Sequence, residues 1–374
     1  MDRTSKTELI PIVLLSAFYK PFSSGAEKCV EEMVKLPRGR RFVVITSRLD
    51  KKLPVRDRDG EAEIIRVGFG TSWDKFLYPV LCLGPALRLR PTIVHAVMES
   101  YAGIGLVLLK WLRPKLQTIL TLQSGNLDED AKLKTGFLAW LWKKIHTVPD
   151  EITAISQFLA DRAATLRGSR ERVQVIPNGV DLSTIRSVRE SSVPGRIVSI
   201  ARLSPEKGVD VLIRALASVK ARVANAELHL IGDGAQRAEL EALVKQLKLE
   251  NSIVFHGRQP YPEAMRLLTT GSVFALLSHG EGQGIVLLEA GAACVPSVAT
   301  AVGGIPEMIQ EGKTGFLIPD NASDQAADRL VRLLQDESMR KQFGEAARKF
   351  AEGFVWERCI DRYVQLWNRL DSYR

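Results

Sequence analysis

Residues 272–309 read SVFALLSHGEGQGIVLLEAGAACVPSVATAVGGIPEMI. A β-rich apolar run ends at Leu277, a bend follows with glycines at 280, 282 and 284, and an apolar helical stretch opens at Ile285. Strand, glycine bend and helix in that order are one step of a parallel sheet wrapped by helices. The glycines let the backbone turn sharply and approach a ligand. The free N–H groups of the helix's first turn then face the crevice beyond the strand's carboxyl end, where anions bind. Glu281 sits on the bend, and Glu289 is expected about two turns into the helix. One carboxylate could reach one end of an elongated polyhydroxylated ligand and the other its far end. The competing reading is a buried βα unit with a solvated loop glutamate.

The same alternation extends along the chain. Short apolar runs at 9–15, 41–46, 63–67, 92–97, 117–122, 151–155 and 173–176 read as strands, with helical stretches between most of them. A polar stretch at 187–195 interrupts the pattern, which restarts with runs at 196–200, 227–231, 252–255, 272–277 and 295–298. The fold class is therefore α/β, with two doubly wound domains. The first is expected over 1–186 and the second over 187–353. The final helix, 354–374, carries too many apolar residues for a free tail and is expected to rejoin the first domain.

A chain of 374 residues has the length for two such domains. It is 45% hydrophobic and 25% charged, as ordinary globular proteins are. The four cysteines, Cys29, Cys82, Cys294 and Cys359, form no CxxC pair and read as core residues of a reducing compartment. The first residues show no signal-peptide core, and no apolar run reaches the ~18 residues that span a bilayer. A cytoplasmic location is expected. The net charge of +9 suits nucleic acid, an anionic membrane or a phosphorylated substrate, or is simply a basic surface. No recognisable nucleic-acid module accompanies it, so nucleic acid is not expected as a partner.

A second stretch, IVSIARLSPEKGVDVLIRAL at 197–216, places Arg202 and Lys207 where a strand gives way to a helix expected from about Lys207. Positive charge at a helix N-terminus opposes the macrodipole. The placement makes sense if a di-anion lies between them, Arg202 gripping oxygens bidentately and Lys207 acting as a point charge. Two exposed surface cations with Glu206 as local partner is an equal reading. Gly232-Asp233-Gly234 and the run VIPNGVD at 175–181 read first as turns. The segment 132–146, KLKTGFLAWLWKKIH, interleaves Trp140 and Trp142 with lysines. It fits a helix lying on a membrane surface and equally a core helix with basic ends.

Together these stretches resemble the GT-B-fold retaining glycosyltransferases of family 4. The resemblance rests on SSGAE (23–27), VIPNGVD, ARLSPEKG (201–208), GDG, HGEGQGIVLLEA (279–290), GGIPEMI (303–309), GKTGFLIP (312–319) and the ending FVWERCIDRYVQLW (354–367), in the family's order. It is dense from 154 onward and weaker before. It implies two Rossmann-like domains facing a cleft, with the C-terminal helix crossing back to the first. It implies transfer of a hexosyl group from a nucleotide-diphosphate sugar to the hydroxyl of a saccharide, lipid-linked or small-molecule acceptor, with retention, in cell-surface polysaccharide or glycolipid biosynthesis. By the resemblance Arg202 and Lys207 bind the donor diphosphate, Glu289 the ribose hydroxyls and Glu281 the donor sugar. Backbone N–H groups around Gly284, Ile285 and Val286 meet the diphosphate, and Gly25 closes over the phosphates. Fixed cations and helix N-termini would stabilise the leaving group, so no cofactor and no divalent metal is implied. Family members often act on lipid carriers at the inner membrane face, so peripheral contact there is implied too.

Three positions depart from the family pattern. Ser24 precedes Gly25 where Gly-Gly is common. Gln283 stands where many members carry phenylalanine, a change expected to alter packing near the sugar. Gln123, in TLQSG, stands where many carry a histidine facing sugar and acceptor; glutamine hydrogen-bonds but does not titrate. His95, in TIVHAV, is a further polar group on that acceptor side, or a packing histidine. A sugar-nucleotide epimerase-like protein or a non-catalytic sugar-nucleotide binder of the same fold is the alternative function.

Overall fold

The computed structural model describes residues 10–22, 25–124 and 136–372. By contacts the chain divides into two units. Unit 1 runs to Pro177 and resumes at Glu357; unit 2 runs from Asn178 to Trp356.

Among the described residues unit 1 has eight strands: β1 (Ile12–Leu15), β2 (Phe42–Ser47), β3 (Arg56–Asp59), β4 (Ala62–Val67), β5 (Ile93–Val97), β6 (Gln117–Leu122), β7 (Glu151–Ala154) and β8 (Val173–Val175). Their order is β3-β4-β2-β1-β5-β6-β7-β8, parallel except for β3 against β4. β1 is buried at every position because helices cover both faces of the sheet, which is why it reads as an unbroken apolar run. The sequence reading lacks β3. That strand is Arg-Asp-Arg-Asp, mostly exposed and at the sheet's edge, where charge discourages pairing with another chain.

The helix Trp356–Asp371 closes unit 1, as expected of the chain's end. Ile360, Tyr363 and Trp367 are fully buried, and Trp367 meets Phe42 edge-on at 5.3 Å. Arg369 reaches Glu151 at 2.9 Å.

Among the described residues unit 2 has six parallel strands: β9 (Arg196–Ile200), β10 (Glu227–Ile231), β11 (Ile253–Gly257), β12 (Val273–Leu276), β13 (Ser297–Thr300) and β14 (Gly315–Ile318). The order β11-β10-β9-β12-β13-β14 is the doubly wound arrangement that reverses beside its first strand. β13 begins two residues later than the sequence suggests, after Pro296, which has no N–H to donate. β14 is missing from the sequence reading because four residues inside a glycine-rich stretch give no usable period.

The division between the units also differs from the expectation. It falls after Pro177, not in the polar stretch 187–195. Val180 and Ile185 are buried in unit 2's own core, and the Val193 N–H donates to the Thr270 carbonyl at 2.8 Å. Polarity there marks an exposed strap of unit 2. Among the described residues, no helix is long and apolar enough to cross a membrane.

Candidate active site

The strand order of unit 2 reverses between β9 and β12, and the loops leaving their carboxyl ends carry the charged residues singled out by sequence. After β9 the chain passes Arg202 and makes a short 3-10 turn, Pro205–Lys207. The following helix starts at Val209, two residues beyond the expected point. The residue between is Gly208, at φ +56°, where a Cβ would stand 2.0 Å from the Leu277 carbonyl oxygen. Only glycine lets this loop lie against the end of β12. The His279 N–H closes the same contact by donating to the Glu206 carbonyl at 2.9 Å. The loop after β13 arrives by a similar approach. A Cβ on Gly303 would stand 2.0 Å from the Glu281 carbonyl oxygen, which accepts the Gly304 N–H at 3.0 Å.

These approaches bring Lys207 Nζ to 2.8 Å from Glu281 Oε1, with both side chains under one-fifth exposed. Arg202 is different. Its side chain is 68% exposed and donates to Glu206 at 2.6 Å and to Ser204 at 3.2 Å. Burial disfavours the Glu206 carboxylate, but hydrogen bonds from Ser204, from its own backbone and from Arg202 outweigh that and hold it below the usual carboxylate range. Arg202 is thus parked on a short acidic partner, and Lys207 is fixed.

Gly284, in the left-handed region, precedes the helix Ile285–Ala292. Ile285 and Val286 are half-buried at its start. Glu289 is 6% exposed and is the helix's fifth residue, so it lies little more than one turn in, nearer the bend than expected. Gln283 has a partner the sequence did not show. It is 2% exposed, and its amide pairs with the backbone of Asn178, accepting the N–H at 3.0 Å and donating to the carbonyl at 3.2 Å. It pins the glycine bend to the start of unit 2.

In unit 1 the order reverses between β1 and β5. Gly25 opens the helix Gly25–Lys35 after β1 and is exposed, with open space where a Cβ would be; Ser23 and Ser24 lie outside the described residues. Gln123 follows β6, and its backbone N–H donates to Glu99 Oε2 at 3.2 Å. Glu99 was not singled out by sequence. It is 4% exposed at the end of β5, and burial raises its carboxyl above the usual range despite hydrogen bonds from its own, Gln123 and Ser124 backbone groups. The available signal was a carboxylate directly after an apolar strand. Met98 before it has φ +85°, a strained conformation of the kind that gathers at functional sites.

His95 is not on an acceptor-facing surface. It is fully buried under the C-terminal helix, its Nε2 2.6 Å from Thr121 Oγ1 and its Nδ1 3.3 Å from Trp367 Nε1. An indole N–H only donates, so Nδ1 accepts and the ring is neutral. Burial pushes its pKa down to about 3.

The tryptophan-rich helix spans Gly136–Thr147, and Lys132 and Lys134 lie outside the described residues. Trp142 and Ile145 pack toward the core of unit 1, whereas Trp140 is 44% exposed, 5.8 Å from Trp111 and under Lys144. Among the described residues, no group of three or more His, Cys, Asp or Glu is placed to hold a metal ion.

Two family models match consecutive parts of the chain: Glycosyltransferase Family 4 over residues 23–184 and Glycosyl transferases group 1 over 184–350. The N-acetyl-alpha-D-glucosaminyl L-malate synthase of Bacillus anthracis is 32% identical over 228 residues, 58% of this chain and 59% of that protein. Curated relatives matching at 31–32% identity are covered over 48–59% of their own length. Sucrose-phosphate synthase from Thermosynechococcus elongatus superposes with a TM-score of 0.81 at 20% identity, over 97% of this chain and 100% of that one. Anabaena HepE, solved with UDP-glucose, does so with 0.77 at 20% identity, over 96% and 99%. Both likenesses show the fold.

Proposed function

The chain belongs to glycosyltransferase family 4, of GT-B fold, and from that premise we propose that it transfers a hexosyl group from a nucleotide-diphosphate sugar to an acceptor hydroxyl with retention of configuration. The observation that carries the proposal is the Lys207–Glu281 pair, 2.8 Å apart where the strand order of unit 2 reverses, with Arg202 on the same loop as Lys207. Doubly wound sheets bind nucleotides at that point.

In this reading the donor diphosphate takes Lys207 and Arg202 as counter-ions, and the N–H groups of Gly284, Ile285 and Val286 point at it from the helix start. Glu289 accepts from the ribose hydroxyls and Glu281 from the sugar. The bond from the anomeric carbon to the diphosphate oxygen breaks, and its electron pair stays on the diphosphate. The acceptor oxygen bonds to the same face of that carbon, and its proton passes to a leaving phosphate oxygen. Charge develops on the diphosphate, where fixed cations already stand. Those cations do what a divalent metal would otherwise do, so the reaction needs none. Gln123, which cannot titrate, orients the acceptor in unit 1. The acceptor is a saccharide or lipid-linked glycan of surface polysaccharide or glycolipid synthesis. The exposed Trp140 and Trp111 with Lys144 support peripheral contact with a membrane face from the cytoplasmic side.

The test is release of free nucleoside diphosphate from a panel of sugar nucleotides, with and without acceptor candidates. Acceptor-dependent release is expected. A conversion of one sugar nucleotide into its epimer, or binding without release across the panel, would replace the proposal.

A further inference from the structure

Unit 1 contains a cavity of about 500 Å³ at the amino ends of β5 and β6, lined in part by Thr92, Val94, Leu116 and Gln117. It lies at the end of the sheet opposite Glu99 and Gln123, which follow the carboxyl ends of those strands. Its size suits a small organic ligand. Its chemistry is divided. Leu87, Leu109 and Leu370 supply an apolar wall, and Arg90, Arg113 and Lys115 stand exposed on the lining. Among the described residues, none of these three cations has a side-chain hydrogen bond or an ion pair. Among the described residues the lining has one carboxylate, Asp371, and Arg40 engages it.

Three like charges around one opening repel each other, and an anion among them removes that cost. A bare anion would leave the leucine wall without purpose, and a purely apolar ligand would leave the cations so. We propose that this cavity binds an anionic amphiphile, a phosphate or carboxylate head held by Arg90, Arg113 and Lys115 with an alkyl or prenyl tail along Leu87, Leu109 and Leu370. The head makes charge-assisted hydrogen bonds with guanidinium forks, and the tail leaves water against the leucines. Such a ligand exists free in solution or as a bilayer lipid, and both present the same head and tail. The site is separate from glycosyl transfer and its test does not use activity.

The experiment titrates decyl phosphate below its micellar concentration, inorganic phosphate and decanol into the full chain by calorimetry. Wild type is expected to bind decyl phosphate at one saturable site, with either half-ligand at least about tenfold weaker. Arg90→Glu with Arg113→Glu should weaken decyl phosphate about tenfold or more and leave decanol unchanged. Both are exposed, so thermal stability should hold; Lys115→Glu alone serves if the double variant does not fold. Co-sedimentation with phosphatidic acid vesicles that the charge reversals abolish identifies a bilayer lipid, and intact decyl phosphate binding without co-sedimentation identifies a free amphiphile. Absence of saturable decyl phosphate binding, or equal affinity in wild type and variants, overturns the proposal.

Discussion

Glu289 and His95 are both buried polar side chains within regular elements, yet their surroundings give them opposite meanings. Glu289 stands one turn into a helix whose start carries the proposed diphosphate contacts, so its role is read through the nucleotide. Glu289→Gln should weaken donor binding about tenfold, because a neutral amide accepts a weaker hydrogen bond than a carboxylate. A 2′-deoxyribose donor should lose less affinity in the variant than in wild type; equal losses in calorimetry would place Glu289 away from the ribose. His95 is a stability residue. Its folded pKa of about 3 lies below the ordinary value of 6.5, so above pH 6.5 the ring is neutral in both states. As pH falls below 6.5 the unfolded chain takes the proton and the folded chain does not, and stability is lost down to about pH 3. His146 and His229, each pushed down to about 4 chiefly by burial, act in the same direction. Urea denaturation at several pH values should show wild type losing more stability than His95→Gln between pH 7 and 4. Parallel curves would contradict the assignment. Sequence left His95 open between two readings because a histidine within an apolar strand looks alike whether it serves a site or the core; what decides it is Trp367, 272 positions away in the chain.

Among the elements, the strands of both sheets were legible because parallel strands buried on two faces read as continuous apolar runs. The edge strand Arg56–Asp59 and the short β14 were not, since one is wholly charged and the other only four residues long. The loops were half legible. Their residue types led to the proposed phosphate contacts, whereas the close approach of Gly208 to Leu277 and the Gln283–Asn178 pairing depend on partners distant in sequence. Gly208 therefore carries the loop-scale prediction. Gly208→Ala puts a methyl 2.0 Å from a carbonyl oxygen at a positive φ, so the loop must retreat and carry Lys207 with it. The variant should lose about 1–3 kcal/mol of stability and at least as much donor affinity as Lys207→Ala does. Wild-type donor affinity in a folded Gly208→Ala protein would show that the loop's position does not matter to the site.

At the scale of the whole molecule, the division of the chain follows burial, not polarity. The first unit ends at Pro177 because Val180 already belongs to unit 2, and the chain returns at Glu357 so that Tyr363 and Trp367 can be buried in unit 1. Every charged group that the proposal assigns to the donor, Arg202, Lys207, Glu281 and Glu289, belongs to unit 2. The central claim is that fixed cations there, and no metal, hold the diphosphate. Removing one charge-assisted contact costs about 1.5–3 kcal/mol, roughly 10–100-fold in affinity. The direct measurement is calorimetric affinity for the donor sugar nucleotide in EDTA, for wild type and Lys207→Ala with matched thermal stability. The account predicts that wild type binds in EDTA and that Lys207→Ala binds at least tenfold more weakly. Equal affinity of the two proteins, or wild-type binding that appears only when magnesium or manganese is restored, would contradict it.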